Sequence, residues 1–121
     1  MATVALRLGI GVMLAVSGLI HGNLYHGYRY LPNIGPAFLV QASVFVALAV
    51  LIAAGGPRWL IWLAGVAACG SLVAFALSRT VGLLGFVEHG WEPAPQAAVS
   101  VVVEVLTVVL CLAIYRETRK A

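Results

Sequence analysis

The sequence predicts an all-α fold, a polytopic membrane protein whose four transmembrane helices form one bundle. Of the 121 residues, 63% are hydrophobic and only 9% are charged, whereas roughly a quarter of the residues in a soluble domain are charged. The mean hydropathy is +1.06. Four apolar stretches reach about the 20 residues that a helix needs to cross a bilayer core of about 30 Å. Too few charges remain to cover a water-facing surface, which excludes soluble, disordered and nucleic-acid-binding proteins.

The predicted spans belong to a single domain, residues 1–121, and cover residues 4–24, 35–54, 59–77 and 96–115. Segments rich in Pro and Gly, which favour turns, separate them: LPNIGP at 31–36, GGP at 55–57 and EPAP at 92–95. Each span must be helical because lipid offers its backbone polar groups no other hydrogen-bond partner.

The basic residues predict the orientation of the bundle. Five of the seven lie at the N-terminus, in the second loop and in the C-terminal tail: Arg7, Arg58, Arg116, Arg119 and Lys120. Only Arg29 and Arg79 lie on the opposite side. The positive-inside rule therefore predicts a multi-pass protein of the cell (inner) membrane with both termini in the cytoplasm. The first span has no basic region before it, so we expect it to be retained rather than cleaved as a signal peptide.

The fourth span carries a polar stripe with a carboxylate in it. Ser100, Glu104, Thr107 and Cys111 follow at helical spacing and share one face. Glu104 lies about 12 Å into a helix that begins near Gln96, at about 1.5 Å per residue. A carboxyl group at that depth costs about 2.5–3.5 kcal/mol in lipid, so we expect it to face the bundle interior with a partner.

Three further polar residues fall in the same, outer half of the predicted bundle. His21 lies near the end of the first span, Gln41 in the second, and Arg79 at the end of the third. With Glu104 they are the predicted ligand-binding or proton-binding residues. In the alternative, structural interpretation, Glu104 pairs with Arg79 or hydrogen-bonds to Gln41 only to hold helices together.

Cofactor binding on the outer side is a further hypothesis, although no cofactor is assured. Copper or zinc suits imidazole and carboxylate ligands, and the side chains available are His21, His26, His89, Glu88 and Glu92. A b-type haem would need His21 with His89. A quinone or a lipid fits a site of Tyr, His and Glu near the membrane interface. No phosphate-binding loop, nucleophile elbow or HExxH motif is present, so the sequence gives no positive evidence for catalysis.

Small residues form a stripe on the first span, at Gly11, Ala15, Gly18 and Gly22. Such a stripe lets another helix approach closely. The neighbour is either a helix of the same chain, or a second copy or a subunit of a larger membrane complex. Besides the lipid bilayer, a homo-oligomer or complex formed through these residues is therefore a predicted partner.

Two segments resemble known small membrane proteins. The first span, with ALRLGIG at 5–11 and GLIH at 18–21, resembles the first helix of DoxX-like proteins. The segment SRTVGLLGF at 78–86, with Glu104 in the last helix, is similar to a wider set of uncharacterised bacterial four-helix small integral membrane proteins. The first resemblance implies a four-helix layout and a role as a small subunit of a sulfur-linked or quinone-linked redox complex. It transfers no catalytic residue to this chain.

Three functions follow as hypotheses. The first is a binding or accessory subunit of a membrane redox complex that holds a ligand, lipid or quinone in the outer half of the bundle. The second is a small transporter or channel in which Glu104 binds a cation or a proton. The third is a structural or assembly protein whose polar residues only join helices.

Overall fold

The computed structural model describes residues 2–119 of the chain. It contains four helices, α1 (Ala2–Tyr28), α2 (Ile34–Ala53), α3 (Trp59–Ser78) and α4 (Gln96–Arg119). All four are long and apolar enough to cross a membrane. The predicted all-α bundle of four transmembrane helices is therefore confirmed.

Two helices are longer than the predicted spans. α1 continues to Tyr28 rather than ending at residue 24, and α4 continues to Arg119 rather than ending at residue 115. The predictions stopped where each apolar run stops, but a helix continues until a residue breaks it. After α1 the first such residue is Pro32, and residues 116–119 contain neither Gly nor Pro. The first loop is therefore only residues 29–33, and Tyr25 lies on the helix.

The connections define two ends of the bundle. The start of α1, the end of α4 and the turn at residues 54–58 lie at one end, which we call the terminal end. The loops at residues 29–33 and 79–95 lie at the other, which we call the loop end. At the terminal end Nη1 of Arg7 donates a hydrogen bond to the carbonyl oxygen of Ile52 at 3.1 Å. Which end faces the cytoplasm stays a prediction, and Lys120, which contributes to it, lies outside the described residues.

A tight turn returns the chain from α1 to α2. Asn33 adopts a left-handed backbone conformation with φ of 70°, which Asn tolerates better than most residues. A Cβ atom on Gly35 would lie 2.7 Å from the Cα of Arg29 and 2.8 Å from the carbonyl oxygen of Tyr28. Because only glycine lets the backbone pass this closely, the start of α2 lies directly beside the end of α1.

The buried interior changes from apolar to polar along the bundle. Toward the terminal end it is an apolar cluster: Ile10, Leu14, Phe45, Leu48, Ala49, Ile52, Leu60, Ile61, Ala64 and Ile114. Toward the loop end the buried side chains include Ser17, His21, Ser78, Ser100, Glu104 and Thr107. Large apolar residues on the outward faces of all four helices are exposed, as contact with lipid requires. The polar half of the interior is therefore where a site can form.

α2 of the same chain packs on the small-residue stripe of α1. A Cβ atom on Gly11 would lie 3.2 Å from the carbonyl oxygen of Ala49, and one on Gly22 would lie 3.5 Å from the Cβ of Ala42. Gly18 is also in close contact with α2, and Ala15 packs against the apolar cluster. In this structure α2 therefore occupies the stripe, and association between copies stays a prediction.

Candidate functional site

Glu104 is held at the centre of the polar half by two serine hydroxyls. It lies on the inward face of α4 and only 1% of it is exposed. Ser17 Oγ of α1 donates to Glu104 Oε2 at 2.7 Å, and Ser100 Oγ, one turn earlier on α4, donates to the same oxygen at 2.9 Å. The structure thus places the carboxyl group inside the bundle with hydrogen-bond partners, as a buried polar group requires.

The structural interpretation paired Glu104 with Arg79 or with Gln41, and the structure shows neither contact. Both residues use their donors elsewhere. Gln41 Nε2 donates to Ser71 Oγ at 2.6 Å, joining α2 to α3. The guanidinium group of Arg79 turns toward the loop that follows α3. Serine hydroxyls from α1 and α4 supply the hydrogen bonds instead.

His21 extends the Glu104 network along α1. Its Nδ1 lies 2.7 Å from the carbonyl oxygen of Ser17 and 3.4 Å from the Ser17 hydroxyl oxygen. A carbonyl oxygen only accepts, so Nδ1 carries a proton, and in the neutral ring Nε2 keeps its lone pair. The ring packs edge-on against Phe38, with the two ring centroids 5.5 Å apart. His21 is thus fixed in orientation beside the Glu104 network.

Arg79 holds the long loop at residues 79–95 against the bundle. Its Nε donates to the carbonyl oxygen of Gly90 at 2.8 Å, and its Nη2 donates to the carbonyl oxygen of Glu92. Nη1 donates to Ser78 Oγ at 2.8 Å and lies 3.9 Å from Glu88 Oε2. The contacts with the loop all reach residues 88–92, so the Arg79 side chain holds this part of the loop over the end of the helices.

Tyr28 at the end of α1 also holds the loop at residues 79–95, through Glu88. The Tyr28 hydroxyl group donates to Glu88 Oε1 at 2.7 Å and to Oε2 at 3.0 Å. The Tyr28 ring meets the rings of Phe38 and Phe86 edge-on, with centroids 5.2 and 5.7 Å apart. The end of α1, the start of α2 and the loop are therefore joined by aromatic packing around one hydrogen-bonded carboxylate.

A cavity of about 140 Å³ lies between these groups, and we refer to it as the loop-end cavity. All four predicted binding residues line it, namely His21, Gln41, Arg79 and Glu104. Aromatic and further polar side chains complete its wall: Tyr28, Phe38, Phe75, Phe86, Ser71, Ser100 and Glu88. The structure thus brings the four predicted residues together, although they contact other partners rather than one another.

Several hydrogen-bonding groups around the cavity have capacity left. Within residues 2–119, no hydrogen bond reaches Glu104 Oε1, because both serine hydroxyls donate to Oε2. Ser71 Oγ accepts from Gln41, which leaves the Ser71 hydroxyl proton and the Gln41 carbonyl oxygen without a partner among the same residues. A ligand in the cavity can therefore meet at least one donor and two acceptors.

The five predicted metal-binding residues do not come together. Among residues 2–119, no three His, Cys, Asp or Glu side chains are placed to hold a metal ion. His26 and His89 are exposed, while His21 is buried. Glu88 is bound by Tyr28, and Glu92 Oε2 accepts from the backbone N–H of Ala94 at 3.2 Å. The structure therefore does not support this ligand set.

Sequence reasoning did not identify the aromatic wall or the role of the serines. Phe38 and Phe75 gave no signal, because an apolar residue on an apolar helix does not show which side it faces. Phe86 lies in the loop at residues 79–95, whose path the sequence does not predict. Ser17 could have been found from its spacing, because it lies four residues before the predicted binding residue His21 and therefore on the same face of the helix.

Comparisons with protein-family models, with curated proteins and with solved structures found no match to this chain. The resemblance to DoxX-like proteins therefore stays a prediction. What is established is a small protein with four helices able to span a membrane, and its function has to be argued from the loop-end cavity.

Proposed function

We propose that this protein binds a ring-headed, membrane-soluble ligand, a quinone being the best match, in the loop-end cavity. The observation that carries the proposal is the cavity itself, which places a buried carboxylate with an unused oxygen among aromatic rings. A redox accessory subunit, as the resemblance to DoxX-like proteins implies, is the role in which such binding is useful.

The size of the cavity favours a single ring. Its volume is about 140 Å³, and an apolar cavity of about 150 Å³ is known to take up benzene. A benzoquinone head group is one substituted ring, so it is close in size to the cavity, whereas a long tail does not fit. α2 and α3 pack less closely together than the other neighbouring helices, and the tail can leave between them into lipid.

The chemistry of the wall favours a ring that carries oxygen atoms. Phe38, Phe75 and Phe86 offer ring faces and edges for stacking. The Ser71 hydroxyl proton can be donated to a quinone carbonyl oxygen, and Glu104 Oε1 can accept from the hydroxyl group of the reduced form. A purely apolar ligand would leave these polar groups without partners, which is unfavourable in a buried site.

Quenching of Trp91 fluorescence tests the proposal. Trp91 stacks on Phe75 with ring centroids 5.4 Å apart, and Phe75 lines the cavity, so a bound quinone will lie near the indole. In a W59F/W62F variant, Trp91 is the sole tryptophan. We expect saturable quenching when decyl-benzoquinone is added to this variant in phosphatidylcholine nanodiscs.

The Glu104→Gln substitution shows whether the carboxylate takes part. It keeps the shape of the side chain but replaces the carboxyl group by an amide, and a typical hydrogen bond contributes about 0.5–1.5 kcal/mol, or roughly two- to tenfold in Kd. Glu117→Gln, at the other end of α4, is the matched control and should bind as the parent does. Quenching that never saturates, or equal affinity in E104Q, would contradict the proposal.

The same variants separate the alternatives. Proton or cation flux in proteoliposomes that E104Q abolishes, without saturable quinone binding, would favour the small transporter or channel. A parent protein with neither binding nor flux, in which E104Q only lowers stability, would leave the structural function.

A further inference from the structure

A second cavity lies at the terminal end, well away from the loop-end cavity. Its volume is about 420 Å³, within the roughly 300–1,000 Å³ typical of ligand-binding clefts. It runs between α3 and α4 and is bounded by the first turns of α1. Gly65 of α3 faces Cys111 of α4, where a Cβ on the glycine would lie only 3.7 Å from the cysteine Cβ. These two small residues are part of the wall of the cavity, which we call the terminal-end groove.

The lining of the groove changes from polar to apolar with depth. On α4 it passes from Thr118 at the helix end through Tyr115 to Leu112 and Val108. On α3 it passes from Trp62 to residues nearer the middle of the helix. The rings of Trp62 and Tyr115 meet edge-on with centroids 5.0 Å apart. Trp and Tyr are enriched at the level of lipid head groups. This order matches that of a phospholipid, from head group to acyl chain.

Two guanidinium groups stand at the polar mouth of the groove. Arg58 Nη2 donates to Thr118 Oγ1 at 2.9 Å, and Arg7 Nη1 donates to the carbonyl oxygen of Ile52 at 3.1 Å. A guanidinium group has five N–H donors in a geometry that suits phosphate oxygens, so one hydrogen bond each leaves donors for an anion. The chain has only four carboxylates, and Glu117 is the one at this end. The mouth of the groove therefore has the charge that an anionic head group needs.

From this arrangement we propose that the terminal-end groove is a binding site for an anionic phospholipid. The phosphate lies between Arg7 and Arg58, and one acyl chain lies along the apolar part of the groove between α3 and α4. The site favours an anionic over a zwitterionic phospholipid, because the head group of a zwitterionic lipid also brings a cationic group close to the two arginines, which repel it. The site is independent of quinone binding at the loop end.

Fluorescence quenching of Trp62 by brominated lipid tests this site. The W59F/W91F variant keeps Trp62 as the only tryptophan, inside the groove. The variant is placed in phosphatidylcholine vesicles that contain phosphatidylglycerol with dibrominated acyl chains, and the association constant is compared with that of dibrominated phosphatidylcholine. We expect a clear preference for phosphatidylglycerol, with each guanidinium group contributing about fivefold.

Single arginine substitutions separate a site from a general surface charge. Arg58→Gln should lower the preference about fivefold. Arg116→Gln removes an equally exposed charge from the same end but outside the groove, and it should leave the preference within about twofold. Arg58→Lys keeps the charge and should keep most of the preference, which guards against a loss that reflects misfolding. Equal quenching by both lipids in the parent, or equal losses in R58Q and R116Q, would overturn the proposal.

Discussion

Replacing Ser17 by Ala should destabilise the bundle through Glu104, and a double-mutant cycle measures how much. Ser17 is fully buried, with 0% of it exposed, and its hydroxyl group lies 2.7 Å from Glu104 Oε2. Hydrogen bonds between membrane helices average about 0.6 and reach about 1.7 kcal/mol. Because Ser17 is fully buried, we expect a coupling energy near the upper value, about 1.5 kcal/mol.

The cycle compares the parent, Ser17→Ala, Glu104→Leu and the double variant by equilibrium unfolding in mixed micelles. Ser43→Ala is the matched control, since the Ser43 hydroxyl group is exposed and donates only to the carbonyl oxygen of Leu39 in its own helix. Its coupling to Glu104→Leu should lie within about 0.5 kcal/mol of zero. A coupling equally small for Ser17 would refute the inference that this hydrogen bond joins α1 to α4.

Two further predictions concern packing and orientation. Gly18→Ala should lower the free energy of unfolding by about 1–3 kcal/mol through overpacking, because the added Cβ would lie 3.2 Å from the carbonyl oxygen of Ala42. Gly70→Ala, with nothing within 4 Å of the added Cβ, should instead be neutral or stabilising by up to about 1 kcal/mol; comparable losses in both variants would contradict the packing of α1 on α2. A reporter fused after Lys120 should be active as a cytoplasmic fusion, and a periplasmic or extracellular readout would reverse the orientation.

The fold was predictable because the signal for each helix is long and strong. Four apolar stretches separated by Pro and Gly leave a membrane chain few alternatives to four helices. The helix ends were less predictable, since hydropathy reports where lipid contact ends and not where the backbone hydrogen bonds end. Tyr28 shows the consequence: it was assigned to a loop, yet it is the last residue of α1 and hydrogen-bonds to Glu88.

Only part of the candidate site could be predicted. The cost of placing a charge in lipid indicates that Glu104 faces the interior, and the topology places His21, Gln41 and Arg79 in the same half of the bundle. The choice of hydrogen-bond partners depends on the rotation of each helix about its axis, which the sequence determines only weakly where every face is apolar. Arg79 shows this, since the loop carbonyl oxygens compete for its donors and hold it.

The two oxygens of Glu104 separate the structural interpretation from the binding one. To join the helices, Glu104 needs only one oxygen that accepts from the hydroxyl groups of Ser17 and Ser100. Oε2 alone accepts both hydrogen bonds. The structural interpretation does not explain the cavity beside the carboxyl group. If Glu104 only joined helices, an apolar side chain in that space would improve packing. The proposed function accounts for this cavity, because a carboxyl group that is fixed by one oxygen and keeps the other unused is preorganised for a ligand. Glu104 thus joins α1 to α4 through Oε2, and the proposal assigns Oε1 to the ligand.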